Sequence, residues 1–418
     1  MPELQALPNQ NFECRDCPSR CCTSPWVVGI TQKEKDRFEG EEWIRQRLAE
    51  KGVTFQQVRE NSYAIPHLVH DRKLQCVFLD EDSLCSIYKR NGREFWAETC
   101  RMFPIKFIQD ETGATQPVLS HYCPSIRDNY GLPLTPARLT TFLVDGGKPT
   151  ALAPSQLLGI QTKLKPAQVK DVIDLWIGIL RATPDLSEAL YLCQQKTDKL
   201  ELEVLELTEA DDAAWSAALA NVRTAETEPL RVAGPPEREA GMLPNLLASL
   251  ELLRLAFPYR VYGITKFTVA KGLSTYRLLM AMVREKGELD LLLTPKPFEL
   301  QEAAAVSAAS SNPELMERMR AFLILVLERR YYLRDEATIS GHLLHLILTY
   351  VILLRFTRYH AVARGSTQPE SIDLREAISA AEFLISRHNT RSGPIMDIVK
   401  GRFTGNLANI KKLLLCEV

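Results

Sequence analysis

The spacing of apolar positions changes character near residue 166. From there onward apolar residues recur at helical intervals. Val169, Val172, Ile173, Leu175, Trp176, Ile179 and Leu180 line one face of a helix expected over 168–182. Similar stripes predict helices over 186–207, 210–222, 246–256, 276–286, 313–333, 341–363, 374–388 and 407–416. Gly234-Pro235-Pro236 marks a break within 230–245. Strand-like alternation is scarce in this region. The strongest apolar run, 343–354, is short for a membrane span and contains His345 and Thr349, so a buried helix is expected.

Residues 1–130 lack that periodicity. Thr31 followed by Glu34 is a capping-box pair, which starts a helix expected over 32–51. Residues 76–79 suit a short strand, while Pro104, Pro117 and Pro124 predict irregular backbone elsewhere. Five prolines between 133 and 166, with Gly146-Gly147, make 131–165 read as a connector. The fold class expected is mainly α: a small irregular cysteine-ligated metal domain over 1–130, then a multi-helix region over 166–418.

Composition sharpens the picture in one respect. Lys+Arg (51) and Asp+Glu (52) cancel, so no nucleic-acid footprint is expected. Met1 to Phe12 is polar and lacks the apolar core of a secretory signal, so a cytoplasmic location is expected. Ten cysteines are present, and eight fall before residue 124: Cys14, Cys17, Cys21, Cys22, Cys76, Cys85, Cys100 and Cys123. In a reducing compartment such density points to metal rather than disulfides. A metal also supplies the core that a loop-rich unit lacks. All eight are candidate ligands. Zinc and an iron–sulfur cluster of the 4Fe-4S type both accept four thiolates, so both stay open, as do one centre or two. In Cys21-Cys22, neighbouring side chains of extended backbone point apart, which assigns at least one of the pair to a second site or to none. The spacing is neither CxxxCxxC nor the CxxCxxC run of a ferredoxin.

Cys14-xx-Cys17-xxx-Cys21-Cys22, Cys76-Val-Phe-Leu, Cys85-Ser-Ile-Tyr and Cys100-Arg-Met-Phe-Pro together resemble the bacterial cysteine-cluster family, a zinc- or iron-chelating domain. That family includes the flagellin lysine-N-methylases, which Thr99–Pro104 and the chain length also resemble. The resemblance covers roughly residues 10–128. It implies metal chelation and, for a methylase-like member, methyl transfer from S-adenosylmethionine to a protein lysine. The chain departs from the family pattern at Arg90–Arg93, where many members carry Arg-Pro, and at Ile105, where methylase-like members often carry Arg. A zinc-stapled interaction module with a helical docking surface is the alternative, and either reading implies a protein substrate or partner.

Other residues carry weaker signals. Arg101 beside Cys100 is placed to offset thiolate charge, and Asp80 and Tyr88 to orient loops around the centre. His67, His70 and His121 are spare imidazoles beside the cysteines. His342 and His345 share a helix face and could join Glu382 or His388, although packed polar positions explain them as well. Cys193 reads as a small core residue and Cys416 as incidental. The basic aromatic stretch 257–267 is expected to be an interhelix loop packed by aromatics rather than a groove lining, and 329–334 and 355–360 to be solvated helix faces rather than a basic surface for an acidic partner. No glycine-rich turn suits a dinucleotide fold.

Overall fold

The computed structural model describes the chain except residues 1–9, 15–18, 25, 71–72, 110–112, 145–148, 152–155, 159–161, 206–210, 231–241, 257–268, 308, 330–337, 386–399, 405 and 416–418. It is mainly α and divides into two compact units. The first comprises 1–109, 114–150 and 257–269, and the second the remainder.

The first unit opens with β1 (Asn11–Phe12) and β2 (Gly29–Thr31). The Thr31 hydroxyl accepts from the Glu34 amide and the Glu34 carboxylate accepts from the Thr31 amide at 2.8 Å, so the capping box forms as expected. The single helix expected over 32–51 is two: α1 (Gln32–Gly40) and α2 (Glu42–Glu50). Gly40 gives the helix little support, and Glu41 turns extended while its amide bonds Phe38 O at 3.1 Å. The break lets Phe38 of α1 and Ile44 and Leu48 of α2 enter one core with Val28, Ile30, Phe55, Val77, Phe78 and Ile87.

The loops expected to be irregular are largely hairpins. β3 (Gln56–Arg59), β4 (Ser62–Ala64) and β2 form an antiparallel sheet with β4 central. β5 (His67–His70) pairs with β6 (Lys73–Cys76), placing His67 opposite Cys76. Cys76 therefore ends a strand, where 76–79 had suggested it would begin one; Val77 and Phe78 form the turn that follows. β7 (Ile105–Gln109) pairs with β8 (Thr115–Leu119). Pro117 is tolerated within β8 because that strand lies at a sheet edge, where the missing N–H is not needed. Three short helices complete the set: α3 (Ser86–Asn91), α4 (Glu98–Met102) and α5 (Pro124–Arg127). The proline-rich stretch carries structure of its own. α6 (Pro136–Val144) buries Leu139 and Phe142 in a second core with Phe12, Ile105, Phe107, Leu119, Cys123 and Ile126. Gly131 has φ +102°, and a Cβ there would collide with Glu13 and the Phe12 backbone, so only glycine permits this approach.

Among its described residues the second unit is mainly helical, with two small strand pairs, one of which joins Gln156–Leu158 to Thr162–Leu164. The expected helices form at Pro166–Ala182, Leu186–Glu203, Asp212–Thr224, Met242–Ala256, Val269–Val283, Pro313–Glu328, Ile339–Arg364, Ser371–Ile385 and Leu407–Leu415. Ile339–Arg364 is longer than its apolar run suggested. It is long and apolar enough to cross a membrane by length and composition, yet 89% of its most apolar window is buried inside the protein. Its basic aromatic segment is no solvated face. Arg355 and Phe356 are buried, Arg355 donates to Asn245 Oδ1 at 2.7 Å, and His360 Nδ1 meets Asp373 Oδ1 at 2.7 Å. Arg364 closes on the same Asp373. The stretch 257–267, residues 330–334 of the other basic run, the Gly234–Pro236 break, Gly146-Gly147, His388 and Cys416 lie outside the described residues.

Candidate metal centre

Four of the eight predicted cysteines, Cys22, Cys76, Cys85 and Cys100, pack on the first core of the first unit, and Cys21 adjoins them through Cys22. Ser19 takes a left-handed conformation (φ 53°), and the amides of Cys22 and Thr23 both bond Ser19 O, at 2.8 and 2.9 Å. This turn overrides the extended geometry assumed for Cys21-Cys22 and brings the two sulfurs to 3.8 Å. Tetrahedral thiolates at roughly 2.3 Å from zinc stand about 3.8 Å apart, so the pair already spans one edge of such a site. The Cys76 amide donates to Cys22 O at 2.7 Å, fastening the end of β6 to this turn. Cys85 is the N-cap residue of α3, tied back by a bridge to Leu79 and by Ser86, whose amide and hydroxyl both donate to Phe78 O. Cys100 rides on α4, whose start is pinned by Glu98 N donating to Glu34 Oε1 at 2.7 Å and by Thr99 Oγ1 donating to Gly29 O at 2.9 Å.

These thiols act on one another. The Cys22 thiol, hydrogen-bonded to Cys21, holds Cys21 below the usual thiol range, and the same bond together with burial pushes Cys22 well above it. Burial pushes Cys76 up to about 12, with a further contribution from Cys85 and a small opposing one from Arg47. Cys100 is pushed well up by burial, then by Cys76, Cys85 and Cys21. Cys85 is pushed up by burial and held back by the amides of Tyr88 and Ile87 and by the Trp96 side chain. An uncompensated set of thiolates here would repel strongly, and a bound cation removes that penalty. The donor set fits a thiophilic metal: soft sulfurs, buried, with N–H groups from Phe78, Ile87 and Tyr88 supplied to the ionised form. Among the described residues, however, no group of three or more His, Cys, Asp or Glu side chains is arranged so that it could hold a metal ion.

The remaining candidates lie elsewhere. Cys17 is outside the described residues. Cys14 follows β1 and is exposed, whereas Cys123 is buried in the second core at the start of α5. The Glu13 amide donates to Ser125 Oγ at 2.7 Å, which draws the Cys14 segment toward α5. His67 Nδ1 lies 3.2 Å from Ile65 O, so its ring is engaged with the backbone. None of the described cysteines forms a disulfide.

The arginine seated at the loop after Cys76 is one that the sequence did not single out. Arg101 reaches Glu94 O at 3.5 Å, while Arg47 of α2 braces the loop after Cys76. Arg47 donates to Val77 O at 2.7 Å, to Leu79 O at 3.0 Å and to Asp80 Oδ1 at 2.7 Å. Its signal was positional: it lies between the core positions Ile44 and Leu48 of an amphipathic helix. Asp80 was expected to orient its loop by bonding backbone; its carboxylate instead pairs with the Arg47 and Lys89 side chains. Tyr88 packs its ring against Trp96 in a tilted arrangement, centroids 4.9 Å apart. Trp26 was also missed. Its Nε1 donates to Cys21 O at 2.6 Å and its ring contacts Phe103 and Tyr122.

His342 and His345 form no metal site with Glu382. His342 faces Gln156 Oε1 at 2.9 Å, and Glu382 is paired with Arg329. Cys193 is fully buried and its thiol is pushed up by burial alone, as a core residue should be.

Residues 13–124 match the model of a domain family described as "Putative zinc- or iron-chelating domain". The match covers all eight clustered cysteines and none of the helices of the second unit. No curated protein matches the chain, and no solved structure does.

Proposed function

We propose that the first unit binds a thiophilic metal, as zinc or as an iron–sulfur cluster, through thiolates drawn from Cys21, Cys22, Cys76, Cys85 and Cys100. The observation that carries this reading is the packing of Cys22, Cys76, Cys85 and Cys100 on one core, with the Cys21 sulfur 3.8 Å from that of Cys22. A bound metal would supply charge neutralisation and a structural staple, and an iron–sulfur centre would add electron transfer. The chain's own contribution is to hold the sulfurs on four separate short elements, to screen them from water, and to offer N–H groups to the thiolates. The test is metal and acid-labile sulfide content of protein purified without oxygen. Iron with sulfide supports a cluster, and zinc alone supports a staple. Cys76→Ser and Cys100→Ser are expected to lower the metal content, and Cys193→Ala to leave it unchanged. Equal metal in all three would sink the assignment.

The block that supplies Cys100, Thr99–Pro104, also carries the resemblance to lysine-N-methylases, which favours methyl transfer from S-adenosylmethionine to a protein lysine as a second reading. Calorimetry with S-adenosylmethionine on the metal-loaded chain tests it, and no heat at millimolar concentration would remove it.

A further inference from the structure

The turn at Ser19 sets the sulfurs of two consecutive cysteines, Cys21 and Cys22, 3.8 Å apart, at contact distance. The backbone around them is tied at three points. The Cys22 amide donates to Ser19 O at 2.8 Å, Trp26 Nε1 donates to Cys21 O at 2.6 Å, and the Cys76 amide donates to Cys22 O at 2.7 Å. Closing the remaining gap to a sulfur–sulfur bond of about 2.05 Å therefore falls to rotation of the two side chains. Both residues are half-buried, whereas Cys76 is buried, so a small oxidant reaches the pair.

We propose that Cys21 and Cys22 are a peroxide-sensitive pair that closes to a disulfide between neighbouring residues and so disarms the metal centre. This rests on the metal-binding reading of the same cysteines. One sulfur attacks hydrogen peroxide, breaks the O–O bond and takes one oxygen as a sulfenic acid. The other sulfur attacks the first and expels that oxygen. In balance, two thiols and one hydrogen peroxide give one disulfide and two waters; where the pair is held as thiolates, solvent supplies the two protons. The sulfurs lose two electrons and the peroxide gains them. Oxidation leaves Cys76, Cys85 and Cys100 at this core, fewer than the four thiolates of a closed zinc or iron–sulfur site. The change is reversible. Consecutive Cα atoms stand about 3.8 Å apart, below the roughly 4.4–6.8 Å that an unstrained disulfide spans, and a strained disulfide is readily reduced by a thiol.

The experiment uses the full chain loaded with zinc(II) and treated with one equivalent of hydrogen peroxide. Remaining thiols are alkylated after unfolding, and the chain is cut with trypsin. Cleavage after Arg20 and Lys33 isolates residues 21–33, which carry Cys21 and Cys22 and no other cysteine. This peptide is expected to be unalkylated and two hydrogens lighter than its reduced form, with one zinc released per disulfide formed. Dithiothreitol is expected to reverse both changes. A 21–33 peptide that still carries two alkyl groups, has gained oxygen, or is joined to another cysteine peptide overturns the proposal. Zinc retained by a chain that holds the disulfide overturns it too. A chain that takes up no zinc before treatment instead defeats the metal-binding reading. The mass of residues 21–33 from that metal-free chain then still decides the oxidation: two hydrogens lighter supports the pair, and two alkyl groups overturn it.

Discussion

At the level of single residues, burial decides which groups titrate where. His342 is 8% exposed, and burial, with His345 nearby, pushes it down to about 3. Its folded value lies below the unfolded 6.5, so the imidazole is neutral in the fold. The stability this contributes is complete above pH 6.5 and is lost as pH falls from 6.5 toward 3. The loss is on the order of 4 kcal/mol. His342→Gln should flatten the decline in urea-unfolding free energy across that window. An equally steep decline in the variant would assign it to other groups. The sequence identified His342 as a packed helix position from spacing. Its Gln156 partner, 186 residues away in sequence, was invisible to any local pattern.

At the level of elements, the cysteines are placed by what flanks them. Each sits where an element ends or begins: Cys76 closes β6, Cys85 caps α3, and Cys100 lies on the single turn of α4. Arg47 couples α2 to the loop after Cys76 through bonds to two backbone carbonyls and a carboxylate. Arg47→Met keeps most of the aliphatic packing and removes those bonds, and about 2–3 kcal/mol of stability should go with them. Because Arg47 lowers the Cys76 value, its loss should also shift the pH midpoint of metal uptake upward. A midpoint that stays put, measured by zinc release on acidification, would confine Arg47 to a structural role. Capping and amphipathic stripes made the helices legible. The α1–α2 break was not, because a single glycine is a weak stop signal until Phe38 and Ile44 must both face the same core.

At the level of the whole molecule, the two units draw on different sources of stability. The second buries an extensive apolar interior around Ile339–Arg364, including Tyr350 and Phe356. The first has smaller cores and a group of sulfurs that repel when ionised. Metal binding should therefore stabilise the first unit selectively. Adding a strong chelator to the loaded chain should lower one calorimetric transition and leave a second, belonging to the helical unit, in place. A single transition that moves as one would argue against this division of stability.

The sequence alone determined the helical stripes, the Thr31–Glu34 cap and the gathering of eight cysteines before residue 124, because these are encoded by neighbours a few positions apart. Only the tertiary structure decided which sulfurs meet. The left-handed turn at Ser19 joined Cys21 to Cys22, and hairpin closure brought Cys76, Cys85 and Cys100 to the same core from segments tens of residues apart. It also placed Arg47 beside the Cys76 loop and the Trp26 indole N–H on Cys21 O. Such choices depend on the packing of Phe38, Ile44 and Phe78 into one core, and no local spacing in the chain records that packing.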